Sequence, residues 1–182
     1  MRTVVLRVAA LALLLLLALV ATITVRTLNR LPDVTLYLIR SEPTHFELEP
    51  IHRRLGVGGP GLAAERVTEA TVRSAIEALI AGPTPEEAQR GLVSEVPPAT
   101  EVRSVRFEDG LVTVDLSADF EVGGGTASML GRLHQVHFTA ARPRGVEAVR
   151  LLVEGTPLTA LGGEGIMVPQ PWVAPENGTP RW

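Results

Sequence analysis

Cysteine is absent from this sequence, which excludes disulfide bridges, metal–thiolate sites, a cysteine nucleophile and attachment to a membrane through a lipidated cysteine. Lysine is absent as well, so all 17 basic residues are arginine, and asparagine and glutamine are scarce; this usage points to a GC-rich source. Acids are missing from the first 32 positions. Four of the 17 arginines precede residue 31 and none of the 20 acids do, leaving 13 arginines against 20 acids and a formal charge of −7 on the remainder. A surface of that sign does not suit nucleic acid, whose phosphates require basic patches.

Charge is also missing from Val8 to Val25, a leucine-dominated run preceded by Arg2 and Arg7. About 20 apolar residues cross a bilayer as a helix, and Val4 to Val25 attains that length with Arg7 snorkelling near its inner end. A cleavable secretory signal and a signal anchor share this description. Leu19-Val20-Ala21 is a poor version of the Ala-x-Ala cleavage pattern and the run is longer than a usual signal core, so residues 1–30 are read as an uncleaved transmembrane anchor. Arg26 and Arg30 nearly balance Arg2 and Arg7 in a positive-inside count. Long C-terminal domains are translocated largely regardless of flanking charge, which favours the amino end inside and the rest outside. Only Arg26 to Asp33 separates the run from the first strand, and about eight extended residues span at most about 28 Å. The domain is thus expected to sit close to the bilayer.

Beyond the anchor about 150 residues remain, enough for one domain with one core. Val34 to Arg40 reads as a strand and Leu48 to Leu55 as a second, less regular one closed by Gly56 to Gly61. Ala63 to Ala81 carries Val72, Ile76, Leu79 and Ile80 at helical spacing, stopped by Gly82-Pro83, and Thr84 caps a short turn through Pro85, Glu86 and Glu87. Glu101 to Phe107 and Leu111 to Leu116 form a hairpin about Asp109-Gly110, with Val112, Val114 and Leu116 facing the core. Thr126 to Ala141 is a second helix with Met129, Leu133, Val136 and Ala140 on one face, and Val146 to Val153 returns as a strand. Interleaved strands and helices give an α/β (α+β) fold, a small mixed sheet with two main helices packed on one face. Residues 31–166 form this domain. Residues 167–182 read as an extended or disordered proline-rich tail.

Catalytic apparatus is likewise hard to find. His134 and His137 are three apart on the second helix, a spacing that brings two imidazoles to one metal, but neither a third ligand nor the glutamate of a helical zinc hydrolase accompanies them. A partly buried helical pair is the simpler reading. Asp109, Asp115, Asp119 and Glu121 fit no calcium loop and are read as solvated acids. Gly123-Gly124-Gly125-Thr126 lacks the lysine of a phosphate loop and reads as a joint before the helix. Ser94, Ser104, Ser117 and Ser128 occupy no nucleophile elbow.

Ala78-Leu79-Ile80-Ala81-Gly82-Pro83, then Gly91-Leu92-Val93-Ser94-Glu95-Val96-Pro97, then Val102 to Leu116 with Asp109-Gly110 and Val114-Asp115-Leu116-Ser117, resemble the GerMN domain of sporulation and spore-germination proteins. Leu133 to Thr139, Gly145-Val146 and Val149 to Gly155, ending in Glu154-Gly155, match its second helix and closing strand. The likeness covers about Val34 to Ile166. It implies an extracytoplasmic module of cell-envelope proteins, similar in fold to ring-building motifs, that makes protein–protein contacts and has no catalytic residues to carry over. The chain differs from that pattern in having a helical anchor in place of a lipidated cysteine and one copy of the domain in place of a tandem pair. The expectation is therefore a non-catalytic, single-pass protein of the cytoplasmic membrane, its C-terminal domain outside, binding envelope proteins or itself. No cofactor, small-molecule substrate or nucleic acid is implied. The alternative is a cell-wall hydrolase or metal-dependent enzyme using His134 and His137.

Overall fold

The computed structural model describes residues 12–22, 33–41, 45–55, 69–162 and 165–174. Residues 12–22 are helical (α1) with every side chain exposed. Among the described residues no helix is long and apolar enough to cross a membrane. The ends of the Val4–Val25 run lie outside the described residues, as do the glycine-rich closure at 56–61 and the first residues of the helix expected from Ala63.

β1 (Asp33–Ser41) and β2 (Phe46–Arg54) pair antiparallel along their full lengths, so the second strand is as regular as the first. β1 reads as nearly continuous apolar sequence because both of its faces are covered. Leu36 and Leu38 enter the main core, while Tyr37 and Ile39 join a smaller cluster with Leu48 and Phe138. β3 (Leu92–Val93) completes a three-stranded sheet of order β2-β1-β3. Pro50, opposite Tyr37 on the outer strand, lacks the N–H through which another strand would add, a common device at a sheet edge.

A second sheet has the order β10-β6-β5-β4, made of β4 (Val102–Glu108), β5 (Leu111–Leu116), β6 (Ala148–Val153) and β10 (Trp172–Val173). β7 (Thr156–Pro157) lies against the end of β6, and β8 (Ala160–Leu161) with β9 (Ile166–Met167) forms a separate ribbon. The mixed character expected of the sheet is present, antiparallel between β4 and β5 and parallel between β5 and β6. The strands nevertheless divide between separate sheets, because helix side chains rather than another strand occupy the middle of β1's second edge. Asp109 (φ 46°) and Gly110 (φ 79°) close the β4–β5 hairpin in the left-handed conformations that a two-residue turn requires.

α2 (Glu69–Ile80) buries Val72, Ala75, Ile76 and Leu79 and ends where the Gly82 N–H donates to the Leu79 carbonyl at 3.1 Å. α3 (Pro85–Gln89) begins with a capping box in which Thr84 and Glu87 satisfy each other's backbone N–H. Glu87 also pairs with Arg53, whose guanidinium donates to the Ala78 and Gly82 carbonyls at 3.2 and 2.9 Å, so one arginine of β2 caps the end of α2. α4 (Thr126–Ala141) supplies the crossover between the parallel strands β5 and β6. Its Leu133, Val136 and Ala140 lie in the main core with Val112, Val114 and Leu116.

The tail expected from residue 167 is instead folded as far as Ala174. Val168 is 4% exposed, its N–H donates to the Thr159 carbonyl at 2.9 Å, and the Ala174 N–H donates to the Glu147 carbonyl at 2.8 Å. The packed domain thus extends past the expected boundary at 166. A two-residue strand and one buried valine leave no periodicity for a sequence to display.

Candidate functional site: the histidine pair and Trp172

His134 and His137 lie on the side of α4 that meets the C-terminal strand. The indole of Trp172 stacks on His137 with centroids 4.0 Å apart and planes 15° from parallel, and tilts against His134 at 5.4 Å. Phe138 presents an edge to both imidazoles, at 5.6 Å from His137 and 6.4 Å from His134. His137 is 1% exposed, and its Nδ1 has no hydrogen-bond partner. Burial, and then the neighbouring His134, push its imidazole down to about 4, against an opposing hydrogen bond with the backbone of Val173. Burial pushes His134 down as well. Both rings are therefore neutral at pH 7, the form that binds metal, but among the described residues no group of three or more metal-ligating side chains comes together. The stacked indole covers a face of the His137 ring.

Another side of α4 faces β1. The Gln135 amide donates to the carbonyls of Tyr37 and Val93 at 3.0 and 3.2 Å and accepts from the Glu95 N–H at 2.8 Å. The Tyr37 N–H donates to the Thr139 hydroxyl at 3.1 Å. Gly131 allows this approach, since a Cβ there would lie 2.7 Å from the Ile39 Cδ1. Arg132, 2% exposed, turns toward the loop before the helix and donates to the Phe120, Val122 and Gly123 carbonyls at 2.7, 3.1 and 2.9 Å. The Gly123–Gly125 run thus closes tightly on an arginine: a Cβ on Gly124 would lie 2.6 Å from the Arg132 Nη2.

The acids divide. Asp109, Asp119 and Glu121 are exposed, as expected. Asp115 is not solvated: it is 8% exposed, accepts from the Gly155 N–H at 2.9 Å and faces Arg103 at 3.5 Å. Its strand face points away from the core, but the turn after β6 folds over it. Among the serines, Ser117 accepts from the Glu101 N–H at 3.0 Å and donates to Asp119 at 3.2 Å, and Ser128 donates to Glu95 at 2.5 Å. Ser104 lies on β4, and the Ser94 hydroxyl is buried without a partner. Among the described residues, the hydrogen bonds of Ser117 and Ser128 run to an acid and a backbone N–H and not to a histidine. Trp172, Gln170 and Gln135 are the residues that sequence reasoning missed. Each acts through a contact distant in the chain, and no local pattern marks it.

A capped α3, the Asp-Gly hairpin and a crossover helix belong to one mixed α+β domain. The chain belongs to the Germane family, described as sporulation and spore germination, which matches residues 35–159. Among solved structures it is similar to the tandem GerMN domains of the sporulation protein GerM from Bacillus subtilis, with a TM-score of 0.60 and 18% identity over 79% of this chain and 45% of that one. It is similar also to the first GerMN domain of that protein, with a TM-score of 0.58 and 18% identity over 78% of this chain and 96% of that one. The chain therefore spans less than half the tandem structure and nearly all of a single domain. No curated protein matches it in sequence.

Proposed function

We propose that this chain is a membrane-anchored, extracytoplasmic interaction module of the cell envelope, without catalytic activity of its own. The observation that carries the reading is α1, in which Leu13 to Leu17 are 57 to 65% exposed. Such a contiguous apolar surface on a chain whose other half is an acidic, well-packed domain calls for lipid around it. Family membership favours an envelope role, and the Germane family is not a known enzyme family. The side chains best suited to chemistry are engaged elsewhere, His137 under Trp172, Ser128 on Glu95 and Arg132 on backbone carbonyls.

Crosslinking of the full chain in intact cells tests this reading. A specific adduct with an envelope protein, or with a second copy, is expected in the membrane fraction; a chain that gives neither, full-length or as the domain from Leu31 onward, contradicts it. Metal analysis of the purified chain decides the hydrolase alternative. Stoichiometric zinc that disappears in the double variant His134→Ala, His137→Ala would overturn the non-catalytic reading, and a metal-free chain retains it.

A further inference from the structure

α2 and α4 pack on one face of the second sheet, where Val105, Val112, Val114, Val149 and Leu151 enter the core. The alternate residues of the same strands line the opposite face. There the register sets Arg106 of β4, Thr113 of β5 and Arg150 of β6 in one row. Two strand spacings put the arginine Cα atoms about 10 Å apart, so that both guanidinium groups can reach one phosphate between them. Arg106 is exposed and Arg150 half-buried. Arg40, Arg53, Arg73, Arg90 and Arg103 each pair with an acid, and Arg132 is committed to backbone carbonyls. Among the described residues, no hydrogen bond or ion pair engages the side chain of Arg106 or Arg150. Glu108 borders the row at the hairpin end, while Asp115 on its other side is held by Arg103. Leu111 and Leu152 flank the row on β5 and β6, half-buried and outside the core.

Unpaired arginines beside leucines that no core covers suit a partner that is anionic and amphiphilic. The chain after residue 30 has 13 arginines against 20 acids, formally −7. An anionic leaflet therefore repels most of the domain and attracts it only where cations stand free of acids. The tether from Arg26 to Asp33 spans at most about 28 Å, which keeps the domain beside that leaflet and makes docking an intramolecular event. A domain of this length has a radius of gyration of about 14 Å, so the tether lets it turn most of its surface to the lipid. We propose that the Arg106–Thr113–Arg150 row docks the domain on phosphate headgroups of the leaflet beside its own anchor, with Leu111 and Leu152 entering the headgroup layer. This deepens and rests on the membrane-anchored reading: the face gives the tethered domain a fixed orientation from which to meet its partners.

The absence of cysteine allows single fluorescent probes. Ser104→Cys carries one on this face, in register with Asp115, and Gln89→Cys carries a control at an exposed site on α3, which packs on β3 of the first sheet. Each full-length variant is labelled and reconstituted into vesicles of phosphatidylcholine, with or without phosphatidylglycerol, containing a headgroup-spin-labelled lipid as quencher. With phosphatidylglycerol, quenching at position 104 is expected to exceed that at position 89 several-fold. Most of the difference is expected to vanish without phosphatidylglycerol, in the added double variant Arg106→Gln, Arg150→Gln, and in about 1 M salt, where charges are screened within about 3 Å. Equal quenching at the two positions, or quenching at 104 that salt leaves unchanged, overturns the proposal. The salt series uses unaltered arginines and decides even if the double variant does not fold. If position 104 stays unquenched while the arginine variant loses a crosslinked envelope protein, the row serves an acidic protein surface: lipid docking falls and the interaction-module reading stands. A chain that the vesicles do not retain overturns the anchor, and this proposal with it.

Discussion

Gln135 of α4 donates to the Tyr37 carbonyl of β1 across 3.0 Å, so that a helix side chain completes a sheet edge. In the same stretch the Tyr37 N–H donates to Thr139. Tyr37 lies opposite Pro50, at a register where neither backbone bonds across the pair, and its groups point toward the helix instead. α4 thereby takes the place of a strand, and the buried polar groups of both elements are satisfied together.

Replacing Gln135 with leucine leaves the Tyr37 and Val93 carbonyls and the Glu95 N–H without this partner. Only the Tyr37 carbonyl contact is fully buried, the other two being partly so, and at about 1–3 kcal/mol for a buried group left unpaired a loss of about 2 kcal/mol or more is expected in urea unfolding. Thr139→Val, which strands the Tyr37 N–H alone, is expected to cost about 1–2 kcal/mol. A loss below about 1 kcal/mol for Gln135→Leu would sink this account of the edge.

Burial pushes the Glu87 carboxyl up, but the Arg53 hydrogen bond, the Thr84 N–H and the charges of Arg53 and Arg90 outweigh it and hold the group below 4.5. A carboxylate lowered in the folded state contributes stability that is present above its unfolded value and lost as pH falls through its folded one. Urea midpoints of the native chain are therefore expected to drop on acidification below 4.5. The Glu87→Gln variant should start lower at neutral pH and lose less in that range. Parallel curves for the two proteins would show that Arg53 and Glu87 do not couple to folding.

His137 acts in a higher window. Its imidazole falls from 6.5 to about 4 in the folded chain, so the unfolded chain takes up the proton first and stability declines as pH drops between those values. The decline attributable to this ring is about 3 kcal/mol. His137→Phe keeps a ring against Trp172 and is expected to remove most of that slope. An unchanged slope in the variant would assign the acid sensitivity elsewhere.

Gly110 combines a φ of +79° with a Cβ position 3.0 Å from the Glu147 side chain. Gly110→Ala is expected to lower stability by about 1–2 kcal/mol through backbone strain at the hairpin. Thermal unfolding checks it, and an unaltered midpoint would contradict the turn geometry.

The β4–β5 hairpin and α4 were legible in the sequence because their signals are local: Asp109-Gly110 permits one tight turn, and apolar spacing from Leu133 to Ala140 fixes one helix face. The rest depends on distant partners. Asp115 alternates outward on its strand as expected, yet is buried because Gly155 and Arg103 fold over it. His134 and His137 were visible as a pair, but their engagement by Trp172 was not, since that tryptophan lies in a stretch with no periodicity. The division of strands between sheets followed from Gln135 and Thr139, polar residues that a helical pattern assigns to solvent.

The absence of cysteine also provides the most direct test of a short-tethered domain on the outer face. Single cysteines replacing Val4 and Val173 in the full chain are treated with a membrane-impermeant maleimide in intact spheroplasts, and the membranes are then collected. The account predicts a membrane-bound chain labelled at position 173 before permeabilisation and at position 4 only after it. Labelling in the reverse order, or a chain recovered in the soluble fraction, would contradict it.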